Sequence, residues 1–171
     1  MEFNNQNKNY NIVDYDQNWL NMFSIESKKI KDLLGDEVLE IHHIGSTSVP
    51  GMSGKPTIDM LLISNNMFQI ETHTNLMLQL GYHSLGARNS QNTCLFEKGV
   101  NGQRQFIVHF YPSGHSEIKQ IIVIRDYLRT HKDEAENYSK FKKNLKNKFP
   151  NDYKQYRDEK DKFINKLICA L

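Results

Sequence analysis

The chain of 171 residues is 38% hydrophobic, 25% charged and 11% aromatic, with four Pro and nine Gly. That balance excludes a fibrous, low-complexity or disordered protein and supplies one substantial core, so a single domain over residues 1–171 is expected. The net charge of +2 hides an asymmetry, because residues 116–171 carry 14 Lys/Arg against 9 Asp/Glu (+5) and residues 1–115 carry 8 against 11 (−3).

The first ten residues are polar and Asn-rich and are expected to be frayed or to lie on the surface. The start MEFNNQNKNYN has neither the basic region nor the apolar core of a secretory signal, and no run approaches the roughly 18 apolar residues of a membrane span. A cytoplasmic protein with no membrane partner is the expectation. From Asp16 the residues Trp19, Phe23, Ile30, Leu33 and Leu34 recur at helical spacing up to Gly35, predicting an amphipathic helix. EVLEIHHIG (37–45) predicts a strand ending at Gly45, STSVPGMSGKP a loop, and TIDMLLI (57–63) a strand covered on both faces, with Asp59 its one charge. A helix through Phe68, Ile70, Leu76, Met77 and Leu80 ends at Gly81, and short strands follow near 82–86, 92–98 and 103–111. From Ser116 three helices are expected, broken near 130–132 and at Pro150, with stripes such as Ile118, Ile121, Ile122 and Leu128, then Tyr138, Phe141, Leu145 and Phe149. The fold class is α+β: a sheet-containing core over about 12–115 and C-terminal helices over about 116–171 packed on it.

The sharpest chemical feature is HHIGSTSVPGMSGKPTIDMLL (42–62). A strand runs into Gly45-Ser46, and a second strand brings a lone carboxylate thirteen residues after Ser46. Gly45 permits close backbone approach, and Ser46 and Thr47 offer hydroxyls beside the free N–H groups of a turn, which suits a phosphate. Asp59 would then meet a magnesium ion carried by a nucleotide; alternatively Gly45-Ser46 is only a tight turn, and Asp59 caps a neighbouring backbone group or pairs with Lys55 or an Arg. GMSGKPT is not a P-loop, since Val49 stands where the first Gly belongs and Pro56 where Ser or Thr should follow Lys55. Lys55 could still touch a phosphate as a point charge.

Arg125 and Lys160 lie on apolar helical stripes and should point inward, each toward a bound anion or, for Arg125, an internal salt bridge to Asp59 or Glu40. The seven histidines lack metalloenzyme spacing. His43 and His109 are either satisfied core residues or, if the Asp59 site exists, its lining, with His109 as a base or orienting group. Cys94 and Cys169 have no C-x-x-C partner and suggest no zinc site. The basic C-terminal third reads as solvated helix faces or, more weakly, as a nucleic-acid surface, and no nucleic-acid motif accompanies it.

With these residues in hand, the chain resembles the GrpB-like family of the nucleotidyltransferase-like superfamily. The resemblance rests on IVDYDQNW (12–19), HIGSTSVPGMSGKPTIDMLL (43–62), VHF (108–110), RDYLRTH (125–131) and the terminal Tyr156, Lys160, Phe163 and Ile164. It implies a mixed sheet flanked by helices, Gly45 and Ser46 as the phosphate signature, and Asp59 as the first carboxylate of a metal-binding pair. The second carboxylate position is Leu61, and no acidic residue on the 103–111 strand offers a third, so two-metal transfer is not expected in its usual form. Family domains fused to dephospho-coenzyme A kinases point toward nucleotide or coenzyme A metabolism. Residue reading and resemblance together lead to the expectation of a nucleotide or related phosphorylated ligand whose phosphate oxygens are held by Gly45, Ser46 and Thr47, whose charge is balanced by Lys55, Arg125 and Lys160, and whose single Mg2+ is bound by Asp59. His109 would stand near the reacting atoms if a nucleotidyl group passes to a small acceptor. The alternative is a non-catalytic sensor or accessory module that keeps the cradle.

Overall fold

A computed structural model describes residues 10–65, 70–87, 93–100 and 102–171. Five strands form one mixed sheet in the order β1-β2-β5-β4-β3: β1 Val38–Ile44, β2 Ile58–Ser64, β3 His83–Ser84, β4 Cys94–Val100 and β5 Gln103–Pro112. The pair β2/β5 is parallel and the other neighbours are antiparallel. The helices are α1 Asn18–Leu34, α2 Ile70–Gln79, α3 Ser116–Thr130, α4 Lys132–Lys148 and α5 Tyr153–Ala170. The expected elements stand within a few residues of their predicted bounds. Phe68 at the start of the second predicted helix, and residue 92 at the start of the fourth strand, lie outside the described residues.

Period-two alternation along β2 sorts its side chains between two cores. Ile58, Met60 and Leu62 join Phe106, Val108 and Phe110 of β5 beneath α1 and α2, where Trp19, Ile30, Leu34 and Met77 close the face. Leu61 and Ile63 turn the other way, with Ile44 and Tyr111, to meet Ile118, Ile121 and Ile122 of α3. Coverage on both faces explains why β2 is a nearly unbroken apolar run.

The C-terminal helices also grip the segment after β1. Val49 and Met52 pack with Leu128, Ala135 and Tyr138, backed by Phe163, Ile164 and Leu167 of α5. Of the ten leading residues expected on the surface, 1–9 lie outside the described residues and Tyr10 is instead buried, in a further cluster with Leu145 and Tyr156. The loop predicted to bind phosphate is therefore packed against residues of three helices distant in sequence. The lysine excess of this third is partly spread over outer faces as the helical pairs Lys140–Glu136, Lys154–Asp158 and Lys162–Glu159.

Candidate functional site

Gly45 leaves β1 at φ +71°, a left-handed conformation glycine adopts without strain. A Cβ there would lie 2.9 Å from Asp59 Oδ2, so this glycine also lets the carboxylate lie against the turn. Ser46–Ser48 then form one 3-10 turn. The Ser48 hydroxyl donates to Gly45 O at 2.7 Å, and Arg129 Nε donates to Ser48 O at 3.0 Å. Gly54 pairs with Val13 through two backbone hydrogen bonds, and a Cβ on it would meet Ser46 Cβ at 2.7 Å. Absent side chains at Gly45 and Gly54 thus allow strand, turn and loop to close around Ser46.

Beneath the turn lies Lys142 of α4, only 1% exposed. Its Nζ donates to Ser46 Oγ at 2.5 Å and to Ser53 O, and rests 4.6 Å from the Tyr138 ring centre. Among the described residues no carboxylate pairs with it. Burial without a counter-ion, reinforced by the charge of Lys160, pulls the ammonium down to about 7. Sequence reasoning missed this residue, although the signal was present: Lys142 stands four after Tyr138 and three before Leu145, on the stripe α4 turns inward.

Asp59 is half-buried, its side chain 30% exposed, and meets His109 Nε2 at 3.4 Å. Burial pushes its carboxyl up, but the hydrogen bond and charge of His109 and the charges of Lys55 and Lys160 outweigh that, leaving it below the usual carboxylate range. Lys55 lies against Tyr153, donating to its hydroxyl at 2.5 Å and sitting 4.5 Å from its ring centre. Lys160 of α5 is one-third exposed and pairs with Asp161 at 3.2 Å. Ser46, Lys142, Asp59, His109, Lys55 and Lys160 therefore form one neighbourhood.

Three predicted residues are placed differently. His43 does not line the Asp59 site: β1/β2 register sets Ile44 opposite Asp59 and His43 opposite Met60, so its ring faces α1 and stacks on Phe23 at 4.7 Å. Desolvation there pulls it down to about 4, with Arg129 and Arg125 adding to the effect against Asp59. Of the two alternatives it is the core histidine, but only half satisfied: Nε2 shares a hydrogen bond with Thr47 Oγ1 at 2.9 Å, while the buried Nδ1 has no hydrogen-bond partner. Thr47 is buried and its hydroxyl donates to Thr57 O at 3.4 Å, so it braces the turn from inside. Arg125 points inward but reaches neither Asp59 nor Glu40; it donates to His43 O at 3.3 Å and to Asp126 Oδ1 at 2.7 Å.

The acidic donors decide what metal the site can hold. Leu61 follows Asp59 on the same face, is fully buried, and is packed by α3. Pairing of Asp59 with Ile107, and of Ile107 with Glu97, sets Glu97 of β4 in the same cross-sheet row, a carboxylate that sequence reasoning overlooked. It is buried and ion-paired to Arg104. Among the described residues no group of three His, Cys, Asp or Glu side chains could hold a metal ion. The residues present do not fit a protein-held pair of magnesium ions.

The model of the GrpB protein family matches residues 9–169. The chain belongs to the GrpB family. It is 36% identical over 153 residues to the UPF0157 protein YqkA of Bacillus subtilis, a match covering 90% of this chain and 44% of YqkA. It is 29% identical over 161 residues to the glutamate-rich protein GrpB of Alkalihalophilus pseudofirmus, covering 92% of each. The chain thus spans less than half of YqkA and most of the second relative. The crystal structure of conserved protein GrpB from Enterococcus faecalis superposes with a TM-score of 0.87 at 30% identity over 94% of this chain and 96% of that one. A cytoplasmic RNA terminal U-transferase gives a TM-score of 0.55 at 8% identity, over 76% of this chain and 40% of that one. That likeness establishes the fold, a nucleotidyltransferase-like mixed sheet with flanking helices.

Proposed function

We propose that this GrpB-family chain binds a phosphorylated small molecule, a nucleotide in the first place, at the Gly45-Ser46 turn. The observation that carries this reading is Lys142 seated against the serine-bearing turn, with Lys55 of a loop and Lys160 of a second helix near enough for their charges to lower the one carboxylate beside it. Such a cationic excess beneath a partly exposed hydroxyl suits phosphate oxygens. Asp59 would repel them unless a cation intervened, so a single Mg2+ carried by the ligand's phosphates fits here where a pair does not. Leu61, built into the core, favours a binding or accessory role over two-metal nucleotidyl transfer. Transfer to a small acceptor near His109 is the competing reading, and a cytoplasmic setting suits both.

Titration calorimetry with ATP, CTP and coenzyme A, with and without Mg2+, tests the binding. The expected result is nucleotide binding that Mg2+ strengthens and Asp59→Ala weakens. If Asp59→Ala instead tightens binding and Mg2+ has no effect, the ligand-borne metal is wrong, and no binding by any of the three at millimolar concentration would sink the reading.

A further inference from the structure

We propose that Ser46 and Lys142 form a serine–lysine pair in which the buried amine activates Ser46 as a nucleophile toward activated carboxylic esters. This goes beyond phosphate binding and needs no metal.

The geometry supplies nucleophile and base. Lys142 Nζ lies 2.5 Å from Ser46 Oγ, within direct proton-transfer reach. Its other partners are Ser53 O and the Tyr138 ring, and the charge that acts on it is the positive one of Lys160, so nothing negatively charged among the described residues holds it as an ammonium. On losing its proton the amine keeps one N–H to Ser53 O and another over the ring, and its lone pair takes the Ser46 O–H in place of the bond the ammonium donates to Ser46 Oγ. Gly54 keeps the loop pressed on Ser46 and thereby fixes the hydroxyl over the amine. Above it Gly45 is exposed and Ser46 half-buried, so the turn that carries the hydroxyl borders solvent.

The step balances without any co-reactant. The Ser46 hydroxyl proton passes to the Nζ lone pair as the Oγ–C bond forms at the ester carbonyl, and the carbonyl π pair moves onto its oxygen. When that intermediate collapses, the C–O bond to the leaving alcohol breaks and the departing oxygen takes the proton from Nζ. An acyl-serine and a neutral lysine remain. Water then cleaves the ester by the reverse sequence, with Lys142 again the base.

The test uses the full chain with p-nitrophenyl acetate for turnover and a fluorophosphonate to trap the serine, followed by peptide mass spectrometry. We expect an adduct on Ser46, no adduct there in Ser46→Ala, and labelling that falls by about 100-fold or more in Lys142→Arg, which keeps a cation but cannot serve as a base. Circular dichroism confirms that each variant is folded. Should Lys142→Arg not fold, the labelling rate of the wild-type chain decides, since a base at Lys142 requires it to rise with pH and level off above pH 7 to 8. No adduct at Ser46, equal labelling in folded Lys142→Arg, or a pH-independent rate would overturn the proposal. Phosphate binding at the turn would survive any of these results, so the two ideas fail separately.

Discussion

Replacing Lys142 by Met changes how stability varies with pH. Burial lowers the lysine from 10.5 in the unfolded chain to about 7 in the fold. Between those values the unfolded chain keeps a proton that the folded chain has released, so stability rises with pH across the window. Below pH 7 both states are protonated and the full cost of the buried ammonium is present. Half of the folded molecules are already neutral at pH 7, so the gain from pH 7 to pH 9 is roughly 2 kcal/mol, at about 1.4 kcal/mol per unit beyond the midpoint. Lys142→Met lacks this titration, while other groups contribute equally to both proteins. Urea unfolding at pH 7, 8 and 9 should therefore show the stability difference moving by roughly 2 kcal/mol in favour of the wild type. A difference that stays constant within about 0.5 kcal/mol would mean that Lys142 remains charged throughout, and the argument from its burial would be wrong.

Other substitutions probe the neighbourhood and the core behind it. Gly45→Ala places a Cβ 2.9 Å from Asp59 Oδ2 at a φ of +71°, so a loss of about 1–3 kcal/mol is expected in thermal or urea unfolding; an unchanged midpoint would show that the turn is not tight. Leu61→Asp puts a carboxylate into a fully buried position under α3, and should cost about 3 kcal/mol or more without creating Mg2+-dependent transfer; a stable, metal-binding variant would mean that the second carboxylate position is open. Glu26 is buried on α1 against Lys98 at 2.5 Å, Lys29 at 3.2 Å and the Tyr82 hydroxyl. Burial pushes its carboxyl up, but the two lysines hold it below the ordinary value of 4.5, so its contribution is present above that value and is lost as pH falls through the lowered one. Glu26→Gln should cost about 2–4 kcal/mol at pH 7 and progressively less below pH 4, which denaturation at the two pH values checks.

The fold was legible in the sequence where short-range patterns decide it. Gly35 and Pro150 mark helix boundaries, and the apolar run around Asp59 announces a strand covered on both faces. The Gly45-Ser46 turn was legible for the same reason, since it depends on a glycine at a strand end. Relations requiring register were not. Alternation placed His43 with Ile41, but only the pairing of Ile44 with Asp59 shows that this face lies away from the carboxylate. Glu97 enters the row of Asp59 through Ile107, and two strand pairings must be known before that row exists. Lys142 was hidden among neighbours of its own kind, because Lys140 and Lys143 are exposed and only helical phase separates them from the buried one.

Amide NMR of the 15N-labelled chain during titration with ATP and Mg2+ asks most directly whether a phosphate sits on the turn. Saturable shifts should begin at Gly45, Ser46 and Thr47, extend to Lys55 and Lys142, and weaken in Asp59→Ala. Shifts confined to the groove between α1 and β1, around Phe23, Lys31 and Ile41, would instead put the ligand on the opposite face of the sheet and contradict the site.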